Sequence, residues 1–285
     1  MVHSLDFDTR CPAIYNYFKS YINRLADDVI EHGWDTLTRD QQIGLKFYDE
    51  LALRIPRSEV ASTGDIILAH ANAIHPGFKM CIVGGYRRGK LDSGDMDFIL
   101  THPDESVTKD FLGNLLDILG VDHGSGWITH ELTVSTKNSE RGQNTLSWRG
   151  AQKKPGRRSG FDTLDHAFVV WQDPNFIVDE ANKGKNPNIR RRVDIIISPW
   201  KTAGCAVLGW SGGNMFERDL RSYSRNEKGW KFDSSGIREV ASGKWIDLET
   251  REGDVDADVS LEEKERRVFE GLGLEYRLPT ERCTH

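Results

Sequence analysis

The sequence predicts an α+β protein: a central sheet with helices packed on it, followed by a smaller helix-and-hairpin segment. Three observations predict it. Short apolar runs of strand character recur between residues 78 and 197. Apolar residues at helical spacing flank them at 38–53, 59–74 and 106–119. The composition is that of a globular chain, with 38% hydrophobic and 29% charged residues over 285 positions. A chain of this size buries about three quarters of the surface its unfolded form exposes, so it needs neither disulfides nor a structural metal. Cys11, Cys81, Cys205 and Cys283 are scattered without C-x-x-C or Cys/His spacing, which argues against a disulfide framework or a zinc site and for a reducing compartment. The N-terminus MVHSLDFDTR has no apolar signal core, and no run reaches the ~18 apolar residues of a membrane span, so a soluble protein without a membrane partner is expected.

The elements follow in order. Thr38 and Gln41 form a capping-box pattern, and Ile43, Phe47 and Leu51 recur at i, i+4 and i+8, predicting a helix over 38–53 that Pro56 ends. A second helix is expected over 59–74. FKMCIV (78–83) is a short strand running into a Gly84-Gly85 turn, and MDFIL (96–100) is the next strand. Val107, Phe111, Leu115 and Ile118 mark one face of an amphipathic helix over 106–119. WITHELTVS (127–135), HAFVVWQ (166–172) and RRVDIII (191–197) are three further strands. Between the first two, residues 137–162 are Gly, Ser, Asn, Lys and Arg-rich without periodicity and read as a long loop, functional or disordered rather than incidental. After Trp200 come helix and hairpin segments, ending in the charged helix SLEEKERRVFEGLG.

Net charge is −6, but the acidity is local. Residues 245–263 carry eight acids against Arg251, a local charge of −7, which leaves +1 for the rest of the chain. This acidic stretch reads as a solvated hairpin and helix start. Basic clusters stand apart at RRGK (87–90), KKPGRR (153–158) and KGKNPNIRRR (183–192), and local basic surface counts for more than bulk charge in attracting phosphates.

The residues that carry chemistry are aspartates. Side chains alternate across a strand, so Asp95 and Asp97 point to one face while Met96 and Phe98 enter the core. Asp194 stands in RRVDIII opposite the face of Val193, Ile195 and Ile197, where an acid is costly unless paired or metal-bound. Hard oxygen donors favour Mg²⁺ or Mn²⁺ over zinc. The structural alternative is salt bridging to Arg87, Arg88 or Arg192. Gly84-Gly85-Tyr86-Arg87-Arg88-Gly89-Lys90 permits close backbone approach and offers cationic donors to a triphosphate, but it is no Walker A loop, since Leu91 follows the Gly-Lys pair. His70, His102, His123, His130 and His166 show no ligand spacing and read as structural or exposed.

Four ordered motifs, GGYRRGKLDSGDMDFILTHP (84–103), RRVDIIISP (191–199), LGWSGGNMFERDLRSYSRNEKG (208–229) and EGLGLEYRLPTER (270–282), resemble family X DNA polymerases, and the resemblance runs from about Leu37 to the C-terminus. It implies a nucleotidyltransferase-type palm over 58–200, a helical DNA-binding subdomain with a truncated or degenerate helix-hairpin-helix over 1–57, and a nascent-base-pair-binding α/β subdomain over 201–285. It implies that Asp95, Asp97 and Asp194 hold two Mg²⁺ ions, with Mn²⁺ as a substitute. Arg54, Gly84, Gly85, Arg88 and Gly94 correspond to residues holding the triphosphate of a dNTP. Gly209, Trp210 and Gly212 match the segment beside the incoming sugar and base. Glu217, Arg218 and Arg221 lie on the helix that meets the nascent base pair and template, and Arg192 is expected to contact DNA. The partners implied are a DNA primer/template or broken DNA ends and end-joining repair proteins, in the nucleus. The expected reaction is addition of nucleotides to a primer 3′-hydroxyl in short-gap filling or end joining.

The Gly209-Trp210 pair resembles polymerase mu and terminal-transferase members, which implies weak discrimination against rNTPs. Gly94, where those members have His, resembles the strictly templated members of polymerase beta and lambda type and favours templated synthesis; the 137–162 loop favours the opposite. Gly213 replaces a usual Ser. Only 36 residues precede Leu37, too few for the family's lyase domain, so no 5′-deoxyribose-phosphate lyase activity is expected. The rival readings are a template-independent or other nucleotidyltransferase of the superfamily and a non-catalytic DNA end-binding relative.

Overall fold

The computed structural model describes residues 33–122, 124–140, 164–178, 184–255 and 258–282. The KKPGRR cluster, most of the 137–162 loop, Cys11, Cys283 and His123 lie outside the described residues. The chain divides into two units, Met1–Tyr48 and Asp49–His285. In the first, helix α1 (Arg39–Lys46) opens on the anticipated capping box: Gln41 N donates to Thr38 Oγ1 at 3.3 Å, and Thr38 N donates to Gln41 Oε1 at 2.9 Å. The single helix expected over 38–53 is interrupted at Phe47, and a separate turn spans Tyr48–Leu51.

The second unit is built on a five-stranded mixed sheet of order β2-β4-β7-β6-β5, comprising β2 (Lys79–Ile82), β4 (Met96–Thr101), β5 (Ile128–Ser135), β6 (Asp165–Trp171) and β7 (Arg191–Ile197). A two-residue ladder joins β1 (Ile55–Pro56) to β3 (Asp92–Ser93). Pro56 thus ends no helix; it closes a strand and leads into helix α2 (Arg57–Ile74). One face of the sheet carries Met96, Phe98, Leu100, Val193, Ile195 and Ile197 and is covered by Val60, Ile67 and Ala71 of α2 and by helix α5 (Phe111–Leu119). The β4–β7 pair is parallel and the other pairs are antiparallel.

The amphipathic helix read over 106–119 is two pieces, α4 (Glu105–Thr108) and α5. Asp110 between them has φ +57°, and its N–H donates to Ser139 Oγ at 2.9 Å, so the chain turns where a continuous helix had been expected. The break also rotates the buried face. Leu112, Leu116 and Leu119 join Phe111 and Leu115 inside, and Ile118 is exposed. Ser139 and Asn138, on the turn α6 (Lys137–Glu140), donate in turn to the buried Asp165 at the start of β6.

Beyond the sheet, helix α7 (Ala203–Ser211) is apolar all round because it serves two cores. Ala203, Ala206 and Val207 pack on Ile99 and Ile196 of the sheet's second face, while Cys205 and Leu208 pack with Leu220, Phe232, Ile237, Val268 and Phe269. Those last residues come from helix α8 (Asn214–Lys228), the sheet of β8 (Trp230–Asp233), β9 (Gly236–Glu239) and β10 (Trp245–Ile246), and helix α9 (Leu261–Leu272).

The acidic stretch is largely solvated as expected, with Asp247, Glu252, Asp258 and Glu262 exposed, but two of its acids are committed internally. Glu249 is buried, where its carboxylate accepts from the backbone N–H groups of Gly204 (2.7 Å) and Cys205 (2.8 Å) at the start of α7, with Lys264 Nζ at 3.5 Å. Asp254 accepts both arms of Arg267 at 2.6 and 3.0 Å. These two acids are therefore a cap and a counter-ion, and buried charges of this kind persist only when matched.

Candidate active site

The site arises from strand register. Because β4 and β7 run parallel with Asp97 opposite Asp194, the two carboxylates leave adjacent strands at the same level. Each sits two residues before an isoleucine, Ile99 or Ile196, that α7 covers, so the helix stops short of the aspartates. Asp95 lies just before β4 on the same side as Asp97. Ligand oxygens of all three aspartates fall within 4.8 Å of one another.

The surroundings make their charge costly. Burial pushes the Asp97 carboxyl well above its ordinary range, reinforced by Asp95 and Asp194. Burial likewise raises Asp194 to about 6, opposed by Arg192. Arg192 Nε donates to Asp194 Oδ1 at 3.0 Å and Nη2 to Oδ2 at 2.7 Å, and Nη1 lies 3.9 Å from Asp95 Oδ2. Three convergent hard-oxygen donors whose mutual repulsion a cation would relieve fit Mg²⁺ or Mn²⁺, and the set contains no soft ligand.

The Gly-Gly segment is a helical turn, α3 (Gly84–Arg87), rather than an open loop. Gly84 has φ +59°, and a Cβ there would fall 2.0 Å from Asp97 Oδ2, so the backbone touches the carboxylate in a way only glycine allows. Gly85 faces the Lys90 stem. Arg57 braces the turn, donating to the carbonyls of Tyr86 (2.6 Å) and Lys90 (2.9 Å) with its guanidinium over the Tyr86 ring. Arg88 donates to the Ser211 carbonyl at 2.5 Å. Its Nη1 lies 2.6 Å from where a Cβ on Gly212 would stand, and Gly212 has φ +71°. Glu217 Oε1 is 3.8 Å from the same point. Arg54 is held by Asp92 (2.8 Å) and reaches to 3.3 Å of a Cβ position on Gly94.

The sequence-selected residues thus form a chain from the aspartates through Gly84, Gly85 and Arg88 to Gly212 and Glu217, with Arg54 and Gly94 beside Asp95. Burial raises the Glu217 carboxyl to about 7 although Arg221 Nη2 lies 2.7 Å away, and Arg218 is exposed on the same helix. Gly209 is placed differently. It is buried in α7, and the space of a Cβ there is filled by Ser234 at 3.2 Å. Trp210 is half-buried against the second core.

Other residues escaped the sequence reading. Glu265 of α9, fully buried, receives both arms of Arg87 (2.8 and 2.7 Å), Arg282 Nη1 (2.6 Å) and the Tyr276 hydroxyl (3.1 Å), tying α3 to the C-terminal segment. Burial alone would raise this carboxyl, yet Arg87 and Arg282 hold it below its ordinary range. No spacing rule announces such a pair 178 residues apart. The basic cluster at 190–192 is also committed internally, Arg190 to Glu50, Arg191 to Glu59 and Arg192 to Asp194. A cavity of about 420 Å³ lined by Glu59, Ser62, Trp127, Trp171, Asn188 and Arg191 shares no residue with the aspartate cluster, and its Arg191–Glu59 wall is internally satisfied.

A family model described as the DNA polymerase beta palm matches residues 54–200, and one described as the DNA polymerase beta thumb matches 206–283. The chain belongs to DNA polymerase family X. It is 27% identical over 262 residues to human DNA-directed DNA/RNA polymerase mu, covering 91% of this chain and 47% of that protein. It is 28% identical over 259 residues to rat DNA polymerase lambda (91% and 38%) and 26% identical over 255 residues to Xenopus laevis DNA nucleotidylexotransferase (86% and 44%). The chain spans less than half the length of these relatives. In family X terms the sheet is the palm, the aspartates stand on its open face, and α8, α9 and the small sheet belong to the thumb. No helix among the described residues is long and apolar enough to cross a membrane.

Proposed function

We propose that this chain is the catalytic core of a nuclear, template-directed DNA polymerase that extends a primer 3′-hydroxyl with dNTPs in short-gap filling or end-joining repair. The observation that carries it is the register of β4 and β7, which sets Asp97 level with Asp194 beside the Gly84 contact. Asp95, Asp97 and Asp194 would hold the divalent ions. When bound, Mg²⁺ or Mn²⁺ would supply charge neutralisation and polarisation of the reacting oxygens. The protein's own part is positioning. The Gly84–Lys90 turn with Arg88 and Arg54 holds the triphosphate. Gly212, Trp210 and Glu217 flank the incoming nucleotide, and Arg218 and Arg221 meet the template. Supporting the division into 1–57, 58–200 and 201–285 are the family matches at 54–200 and 206–283.

A second reading, template-independent transfer, is favoured by the likeness to DNA nucleotidylexotransferase. Primer extension on gapped, blunt and single-stranded DNA separates the two, since the first reading expects gapped DNA to be extended best. Robust tailing of the single strand overturns it. Asp194→Asn is expected to abolish extension while DNA binding persists; extension by that variant refutes the role given to Asp194, and no extension by the wild type on any substrate refutes the polymerase reading in favour of a DNA end-binding relative. Tolerance of rNTPs is supported by the Gly209-Trp210 pair and by the likeness to a DNA-directed DNA/RNA polymerase. The Ser234 contact gives Gly209 a packing reason of its own. A strong dNTP preference in the same assay removes the tolerance.

A further inference from the structure

We propose that Arg192 is the resident counter-ion of the aspartate trio: its guanidinium occupies Asp194 in the metal-free protein and has to leave before a divalent cation is bound by all three carboxylates. The inference rests on the reading of the trio as a metal site and goes beyond it. Arg192 and Asp194 are two residues apart on β7 and therefore share its open face. The guanidinium fork takes both oxygens of Asp194, at 3.0 and 2.7 Å, and leans toward Asp95 at 3.9 Å. From behind it is backed by the ring of Phe168, the residue opposite Asp194 on β6, with Cζ 5.4 Å from the ring centroid. Asp97 has no ion-pair partner among the described residues, so Arg192 is the cation the trio holds.

A carboxylate oxygen can serve a donor and a metal at once, but a guanidinium lying on both Asp194 oxygens and leaning toward Asp95 reaches into the space an ion shared by the trio would use, and its charge repels that ion, so the two compete for the site. The two partners are also built for exchange. The Arg192 side chain is 44% exposed and can swing into solvent, whereas the Asp194 side chain, 2% exposed, stays in place. Arg190 and Arg191 cannot substitute, being held by Glu50 and Glu59. Metal entry is thus an exchange of one cation for another at a fixed carboxylate, and Arg192 sets its affinity.

Calorimetric titration of the full chain with MnCl₂ near pH 8, without nucleic acid, tests this with no reference to activity. Arg192→Gln is expected to bind Mn²⁺ about tenfold more tightly than the wild type, a difference of about 1.4 kcal/mol. Arg192→Lys, which keeps the charge but loses the two-armed geometry, is expected to fall between them. Mn²⁺ is also expected to raise the unfolding temperature of Arg192→Gln more than that of the wild type. Equal or weaker binding by Arg192→Gln, with saturable wild-type binding that Asp194→Asn abolishes, overturns the counter-ion role and leaves the metal site standing. Absence of saturable wild-type binding overturns the metal-site reading itself, and this inference with it. Should the Gln variant not fold without metal, the Lys variant decides: tighter binding than wild type supports the proposal, and equal binding refutes it.

Discussion

Replacing Gly84 by Ala tests whether the contact between the α3 turn and Asp97 is what places the carboxylate. At φ +59° an alanine costs about 1–2 kcal/mol relative to glycine. The added methyl would stand 2.0 Å from Asp97 Oδ2, whereas an ordinary carbon–oxygen contact is about 3.3 Å, so the carboxylate or the turn has to move by more than about 1 Å. Asp97 is half-buried, with oxygens of Asp95 and Asp194 within 4.8 Å of its own, and so has little room to give. A displacement of about 1 Å at reacting groups costs on the order of 10²-fold in rate. We therefore expect kcat/KM for extension of a gapped primer to fall by about 100-fold or more, with the unfolding temperature lowered by a few degrees. Gly85→Ala is the control, since its Cβ would meet only the flexible Lys90 stem at 3.3 Å and Ser93 Oγ at 3.6 Å, and its loss should be much smaller. Wild-type kcat/KM to within about threefold in Gly84→Ala refutes the reasoning, as does an equal loss in both variants.

Glu265→Gln should leave Arg87 and Arg282 buried without their shared carboxylate, costing about 3–5 kcal/mol and about 6–20 °C in thermal unfolding; a shift under about 2 °C means that the hub contributes nothing. Glu249 has its carboxyl raised by burial from 4.5 to about 7, so the folded state binds the proton more tightly than the unfolded chain. Its contribution is therefore fully present below about pH 4.5 and lost as pH rises through about 7. Between those limits the wild type should lose on the order of 2–3 kcal/mol relative to Glu249→Gln, and parallel stability–pH curves for the two proteins would count against the assignment.

How far the sequence reaches depends on the range of the force involved. The strands and the Thr38 cap were legible because alternation and capping are local rules acting over a few residues. The aspartates were legible for the same reason, since Asp95, Asp97 and Asp194 each stand against an apolar strand pattern, and the four motifs supply the order that makes them one site. What alternation does not give is register. That Asp97 faces Asp194 follows from the parallel β4–β7 pairing, a contact across 97 positions of chain. The break at Asp110 was hidden because the apolar residues keep helical spacing on both sides of it, and only the Ser139 hydroxyl, brought in from another segment, reveals the turn. The charged residues were the least legible. Glu249 and Glu265 look like any surface charge in sequence, yet both are buried, and of the three arginines the sequence offered as partners for the aspartates it is Arg192 that sits on Asp194. A charge owes its meaning to its partner, and these partners lie far along the chain or, for Asp194, two residues away on a strand face whose burial is decided elsewhere. That difference orders the experiments: substitutions at the aspartates and at Gly84 test what the sequence already implied, whereas those at Arg192, Glu249 and Glu265 test what only the folded arrangement supplies.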